Sequence, residues 1–457
     1  MREVITLQFG ERANYVGAHF WNLQLGCRGD DDRVGELFSE RRERPAGAAA
    51  VPRALVFDAP GNFGSLGRAA LQSAGSDEDD KELAAWGGAA EVHRQELHEA
   101  GDGARCWADV GQARFASHAL GAVTGVEFGN SLGGMGTFQE GAQVFAGLDA
   151  RDDALEGGLR VFAEECDRLQ GFHVLCDAFG GFAGFGAGFM ARVRDEFPKA
   201  PVLLYSVGDT QRAGQLRGAQ LMDAAVAAAT AADTASMRVP LFAPAELAKL
   251  SPRVQVADAD FEQLSAYLAA NAAQWSASLA GGRRVLDEIV NQVTQQGHYT
   301  TAESLLAPGL RIPDGASGAD AIVARAFAGC SDAPVHSLSS ATGLLVVDRG
   351  THMSDVVAPT HPAAAYVAAA GALELPRAFP RVFRGVNARG DPEATPAERI
   401  PVAGVLCSTP ASLGHLQHLR SALQVRSGRH FKDYERETLG ELAAALDVAV
   451  DRYSSSD

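Results

Sequence analysis

Apolar residues in this chain recur with two spacings, and each spacing predicts one kind of element. Residues 13–25 place Val16, Phe20 and Leu23 at i, i+4 and i+7, which predicts an amphipathic helix. Continuous apolar runs bounded by polar residues, glycine or proline predict buried strands instead. Strands of this kind are predicted at residues 169–177 and 201–207. Strands and helices thus alternate, which is typical of an α/β fold with a parallel sheet.

The second half of the chain continues with mixed elements. Helical patterns cover residues 221–237, 260–279 and 437–453, and strand patterns cover 343–348 and 402–407. Prolines from Pro240 to Pro244 predict the end of the first of these helices and a domain hinge there. Five further prolines between residues 359 and 401 indicate loops and sheet edges. We therefore predict domains at 1–238 and 239–408, followed by a helical segment at 409–457.

Composition narrows the classes of function. The 457 residues are enough for two domains with full cores, and the formal net charge of −17 would repel nucleic acid. Six cysteines without a CxxC pair indicate buried, reduced thiols rather than disulfides or a zinc site. We therefore expect a globular protein of a reducing compartment.

Membrane and targeting signals are not visible in the sequence. No apolar run approaches the roughly 20 residues that a membrane span needs. The N-terminus resembles neither a signal peptide nor an Arg-rich presequence, because Glu3 follows Arg2 and a core strand begins at once. We expect a cytoplasmic protein without a transmembrane segment, whose association with any organelle would be peripheral.

The segment from Gly180 to Gly188 carries the candidate chemistry. Glycines between a strand and a helix let backbone N–H groups approach a phosphate at the positive end of the helix dipole. The alternative is a structural turn, after which Phe185, Phe189 and Val193 form a buried helical stripe that extends to Phe197. Both interpretations stay open, because a glycine-rich turn alone does not distinguish them.

Four ordered blocks resemble tubulin. They are the opening strand with Gly10, the strand at 51–58 with its Pro-Gly turn, the segment 137–142, and the glycine-rich segment. The closer resemblance is to the Misato family of tubulin-related proteins. It rests on the sequence motifs of residues 10–22, 169–177 and 181–187.

The resemblance implies a tubulin-like fold. Its parts would be an N-terminal Rossmann-like nucleotide-fold domain, a smaller mixed α/β domain, and C-terminal helices. The cofactor implied is GTP or GDP with Mg²⁺. The residues placed at that site are Gly10, Glu11, Arg12, Asp58, Gly180, Gly181, Gly184 and Gly186.

Several of these positions depart from the tubulin pattern. Tubulin has a glutamine, a cysteine and a second glycine where this chain has Glu11, Arg12 and Ala13. Glu11 would repel phosphate, whereas Arg12 would compensate in part. Phe182, Ala183 and Phe185 replace the hydroxyl side chain of the tubulin loop, so we predict a degenerate site. Asp58 is interpreted either as an acid on the magnesium side or as the cap of the Pro60-Gly61 turn.

The function implied by the resemblance is non-enzymatic. It is a role in mitochondrial distribution, morphology and inheritance, with tubulin or the cytosolic chaperonin as partners. The long acidic tail of tubulin has no counterpart after residue 453, so a microtubule subunit is not expected. The alternative is a GTP-binding, polymer-forming GTPase. A GTPase of this kind would need a catalytic acid at the start of the second domain. Between Pro240 and Asp260 the chain has Glu246 and Asp258, but neither lies in a recognisable motif.

Two other enzyme signals need weighing. Residues 129–133 fit G-x-S-x-G around Ser131, the nucleophile elbow of α/β-hydrolases, with His352 or His361 as the base. The three glycines at 133–136 are a poor start for the helix that this elbow requires, so we rank a hydrolase third. The pair His93/His98 misses the H-x-x-E-H zinc pattern by one residue, so its second histidine would leave the shared helix face. The pair His415/His418 lacks a third ligand nearby, and both pairs are interpreted as surface or capping histidines.

Overall fold

The computed structural model describes most of the chain. The described residues are 2–26, 35–39, 51–64, 106–116, 119–123, 136–149, 154–209, 213–244, 253–257, 260–280, 283–310, 343–352, 365–368, 371–377, 379–386, 392–408, 410–424, 434 and 436–454. Two acidic runs that the sequence indicates to be solvated surface loops, at residues 30–32 and 76–82, lie outside them.

A six-stranded parallel sheet organises the first half of the chain. Its strands are β1 (Glu3–Phe9), β4 (Ala54–Asp58), β5 (Leu120–Ala122), β6 (Leu169–Asp177), β7 (Val202–Val207) and β8 (Met237–Leu241), after a small pair of β2 (Phe38–Ser39) and β3 (Val51–Pro52). The spatial order is β5-β4-β1-β6-β7-β8. The order reverses beside β1, so the β1/β6 edge is a topological switch point, where α/β sheets bind their ligands. The α/β fold is confirmed.

Helices cover both faces of this sheet. They are α1 (Glu11–Gly26), the short α2 (Trp107–Val110), α3 (Phe138–Asp149), α4 (Ala154–Glu165), α5 (Gly181–Glu196) and α6 (Gly218–Thr234). The predicted stripe of α1 is confirmed, because Val16, Phe20 and Leu23 are at most 1% exposed. On the other face, the rings of Phe185 and Phe189 pack against Phe9 of β1.

Glycines set the close approach of α3 and α5. A Cβ atom on Gly184 would collide with the carbonyl oxygen of Phe138, and one on Gly141 would collide with that of Gly181. The two backbones are therefore in contact, a distance that a side chain would prevent. Gly186 faces the sheet instead, where an added Cβ would lie 2.6 Å from the Cys176 sulfur.

The helix predicted over 221–237 differs from the structure at its end. α6 stops at Thr234, and Met237 opens β8, the last strand of the sheet. Pro240 therefore lies within a strand rather than after a helix, which an edge strand tolerates because one side needs no ladder donor. The boundary predicted after residue 238 falls inside β8, whereas the division into domains itself stays a prediction.

The remaining chain adds a smaller sheet. α7 (Phe261–Ala272) and α8 (Leu286–Thr294) precede β9 (Glu303–Pro308), β10 (Gly343–Arg349), β11 (Ala365–Ala368), β12 (Leu373–Glu374), β13 (Arg384–Val386), β14 (Pro392–Pro396), β15 (Arg399–Ile400) and β16 (Val402–Ser408). Its order is β11-β10-β16-β9, parallel only between β10 and β11. The strands predicted at 343–348 and 402–407 are confirmed. The helix predicted over 260–279 is shorter, because a 3₁₀ turn replaces its end at Trp275–Ser278.

Two C-terminal helices return to the first sheet. They are α9 (Pro410–Gln424) and α10 (Arg436–Ser454), and the second confirms the helix predicted over 437–453. Leu419 and Leu446 are buried in one cluster with Val226 of α6. Within the described residues, no helix has the length and apolar character needed to cross a membrane.

Candidate functional site

Two predicted site residues and one further acid meet at the carboxyl edge of the central strands. Gly10 follows β1, Asp58 ends β4 and Asp177 ends β6. Asp177 was not among the predicted site residues, although it is the last residue of the strand that precedes the glycine-rich segment. An acid at the end of a strand beside the switch point is the signal that could have identified it.

Asp177 occupies the N-terminus of α1. Its Oδ1 accepts a hydrogen bond of 2.8 Å from the backbone N–H of Ala13, in the first turn of the helix. Gly10 has φ +95°, and a Cβ there would lie 2.6 Å from Cγ of Asp177 and 2.7 Å from Cβ of Phe182. A helix N-terminus attracts anions. Here the carboxylate of Asp177, which is 164 residues from Ala13 in sequence, takes the position of such an anion.

Arg12 is engaged in the same contact. Its Nη1 lies 3.2 Å from Oδ2 of Asp177, and its guanidinium stacks over the ring of Phe179 at 4.7 Å. The predicted role of Arg12 was to compensate the charge of Glu11 near a phosphate. In the structure it neutralises Asp177 instead, while Glu11 is exposed as the first residue of α1.

The N-terminus of α5 also meets a carboxylate. Gly180 is its N-cap residue with φ +82°, and the Gly180 N–H donates to Oδ2 of Asp223 over 3.2 Å. Asp223 projects from α6 and is only 5% exposed. The N–H of Gly180, which was predicted to face a phosphate, therefore donates to another side chain in this structure.

The adjoining turn at the start of α3 is closed in a similar way. Oε2 of Glu140 accepts hydrogen bonds from the N–H groups of Gly136 and Thr137, at 2.8 and 2.9 Å. The Gly136 carbonyl oxygen would lie 3.8 Å from a Cβ on Gly180, so the two turns are neighbours. Asp177, Asp223 and Glu140 therefore each occupy one of three adjacent helix N-termini.

Asp58 is saturated with donors. Its Oδ2 accepts from the side chains of Asn14 and Trp107, and its Oδ1 accepts from the side chain of Asn62 and the N–H of Ala59, all at 2.8 Å. A carboxylate on the magnesium side would need free oxygen lone pairs. The cap of the Pro60-Gly61 turn describes these contacts better.

Burial raises the pKa of both strand-end acids. The pKa of Asp177 rises from 3.8 to about 7, mainly because burial penalises the ionised form, and Arg12 opposes this rise. The pKa of Asp58 rises to about 6 for the same first reason, opposed by its hydrogen bonds. Phosphate would add further negative charge to a buried acidic edge.

The other predicted glycines divide into two groups. Gly180 and Gly181 lie at the edge itself, where α5 begins. Gly184 and Gly186 lie inside α5, and their near neighbours are α3 and the sheet rather than the open edge. Phe185 is 3% exposed and Phe182 packs partly buried beside it. The buried helical stripe of the second interpretation is therefore present, whereas the glycine-rich turn as a nucleotide site stays a prediction.

Most residues of the competing hydrolase, metal-site and GTPase interpretations lie outside the described residues. Ser131, His361, His93 and His98 are outside the described residues, as are Glu246 and Asp258. Among the residues that the structure does describe, no group of three His, Cys, Asp or Glu side chains is arranged to hold a metal. His415 was predicted to be a surface or capping residue, and its Nε2 lies 3.2 Å from Nη2 of the buried Arg238.

Comparison with known proteins agrees with the fold and the motifs. A tubulin domain model matches residues 97–279, and a Misato segment II tubulin-like domain model matches residues 2–103. Protein DML1 of Gibberella zeae is 30% identical over 226 residues, which cover 44% of this chain and 45% of the relative.

Two further relatives give the same result. Protein dml-1 of Neurospora crassa is 28% identical over 276 residues, 54% of this chain and 51% of the relative. Protein misato homolog 1 of Mus musculus is 27% identical over 262 residues, 46% of each. The chain spans about half the length of the curated relatives it matches. The two family models and these relatives assign this chain to the Misato family of tubulin-related proteins.

Proposed function

We propose that this chain is a non-enzymatic scaffold with a tubulin fold, acting in mitochondrial distribution, morphology and inheritance. The observation that carries the non-enzymatic part is the occupation of three helix N-termini by Asp177, Asp223 and Glu140. The mitochondrial part rests on the family resemblance.

A phosphate at this edge would need the N–H groups that these carboxylates already accept from, and would need to displace buried groups to reach them. Arg12, the adjacent cation, is paired with Asp177. Nucleotide binding would therefore break existing hydrogen bonds before forming its own.

Calorimetry on the full chain tests the non-enzymatic part of the proposal. Titration with GTP, GDP and pyrophosphate in Mg²⁺ should give no saturable heat. The matched variant is Asp177→Asn, which keeps the size of the side chain and removes its charge. Wild-type binding of GTP tighter than about 10 µM would overturn the proposal and favour the polymer-forming GTPase.

The cellular part needs a separate test. We propose a cytoplasmic location with peripheral association with mitochondria, and tubulin or the cytosolic chaperonin as partner. Depleting the chain should alter mitochondrial distribution, and co-sedimentation with purified tubulin and purified chaperonin would identify the partner. Unaltered mitochondria after complete depletion would contradict the role.

A further inference from the structure

A buried arginine lies beneath the C-terminal helices. Arg238 is the second residue of β8 and only 5% exposed. Its Nε donates to the hydroxyl of Ser206 on β7 over 3.2 Å, and its Nη2 lies 3.2 Å from Nε2 of His415 on α9. Both partners are uncharged groups, since burial and the neighbouring Arg238 hold the pKa of His415 well below its usual range.

The guanidinium charge has no counter-charge in the described chain. Nη1 of Arg238 is buried and meets no acceptor there. Burial lowers the pKa of Arg238 to about 10, so the group stays protonated near neutral pH. A buried cation without a counter-charge is strongly unfavourable, because no opposite charge offsets the cost of its desolvation.

Two more buried polar atoms without a regular hydrogen bond among the described residues lie on α9. The Ser412 hydroxyl is 2% exposed and lies beside the Tyr453 side chain of α10, and the other atom is Nε2 of His418. Ser412 is the third residue of α9, three positions before His415, so it belongs to the first turn of the helix. A first turn offers a positive dipole end.

We propose that Arg238, Ser412 and the start of α9 form a binding site for a small free oxyanion of the phosphate type. The guanidinium supplies charge and a donor, and the hydroxyl supplies a second donor. A free ion is favoured over a phosphorylated macromolecule because the arginine is almost completely buried. The bound ion would join β8 to α9, and so stabilise the attachment of the C-terminal helices.

The experiment measures phosphate binding by the full chain. Equilibrium dialysis with radiolabelled inorganic phosphate should give one ion per chain, and phosphate should raise the melting temperature above that in chloride of equal ionic strength. Arg238→Met should weaken binding by about tenfold or more and abolish the thermal shift. The absence of specific uptake by the wild type would overturn the proposal.

Two control variants test whether phosphate binds at Arg238 or at another arginine. Arg194→Met is the matched control, because Arg194 is part-buried but donates to the carbonyls of Thr234, Pro198 and Ala200. Arg12→Met tests whether the ion binds instead at the edge beside Asp177. Both should retain phosphate binding, and loss of binding in either, with Arg238→Met still binding, would overturn the assignment.

A further variant covers the case in which Arg238→Met does not fold. Ser412→Ala removes only a hydroxyl and should weaken phosphate binding about threefold to tenfold. Unchanged affinity in Ser412→Ala would contradict the site. The inference is independent of the proposed scaffold function, because GTP titrations and phosphate dialysis report on different regions of the chain.

Discussion

Two polar regions of this protein solve the problem of buried charge in opposite ways. At the carboxyl edge of β1, β4 and β6, the N–H donors of three helices meet carboxylates of the chain itself. Beneath α9, the hydrogen-bond partners that the described residues give the cation Arg238 are uncharged. At the sheet edge where a ligand was predicted, carboxylates of the protein itself accept the hydrogen bonds of the helix N-termini. Beneath α9, where the sequence predicted no ligand, a cation has no counter-charge among the described residues.

The closed edge depends on the contact between α3 and α5, so Gly184→Leu should have the largest effect. The added side chain would collide with the Phe138 carbonyl. We expect a loss of about 3 kcal/mol or more in the free energy of unfolding, measured with urea. Gly147→Ala is the control in the same α3 helix, because nothing lies near its added Cβ. It should stabilise the protein by about 0.5–1 kcal/mol. Equal tolerance of both changes would contradict the close packing.

Asp58→Ala should have the next largest effect. It leaves donors of Asn14, Asn62 and Trp107 without their acceptor, two of which are buried side chains. We expect a loss of about 3 kcal/mol, measured by chemical denaturation. Asp58→Asn should lose less, since its amide oxygen still accepts. A loss below about 1 kcal/mol in Asp58→Ala would show that these bonds form weakly.

The pH dependence of stability should come from the two strand-end acids. Folding raises the pKa of Asp177 from 3.8 to about 7 and that of Asp58 to about 6. The folded state then binds more protons than the unfolded state, so the free energy of unfolding should fall as pH rises from about 4 to 7.

Asp177→Asn should flatten the upper part of this fall, between about pH 6 and 7, and leave the part due to Asp58. Urea denaturation at a series of pH values measures the slope. Identical slopes for the wild type and the variant would mean that folding does not shift the pKa of Asp177.

Arg12→Met should have the smallest effect. The Arg12 side chain is 33% exposed, so its ion pair with Asp177 is screened by water and should contribute less than about 1 kcal/mol. The control Arg160→Met breaks a pair with Glu164 in which both side chains are more than 60% exposed, and should change stability even less. A loss above about 2 kcal/mol in Arg12→Met would show that Asp177 is fully ionised and dependent on this partner.

Much of the architecture was predictable from local pattern. The helix of residues 13–25, the strands at 169–177 and 201–207, and the C-terminal helix are confirmed, because their apolar spacing reports which faces are buried. The end of α6 was predicted wrongly. Pro240 is a local signal against helix, but only its place on an edge strand determines that it lies in a sheet.

The candidate site was less predictable. Gly10, Asp58 and Gly180 do lie at the edge of the sheet, whereas Gly184 and Gly186 are packing residues inside α5. Asp177 and Asp223 could not be assigned as caps from sequence, since the groups that they accept from are 164 and 43 residues away.

The order of strands and helices and the likeness to tubulin-related proteins can be read from the sequence, because hydrophobic spacing and glycine positions act locally along the chain. Which charges meet depends on the tertiary structure. It brings Asp177 to α1, Asp223 to α5, and Arg238 under α9, where no carboxylate of the described residues pairs with it. Electrostatic pairing depends on distance in space, and in this fold the partners are far apart in sequence.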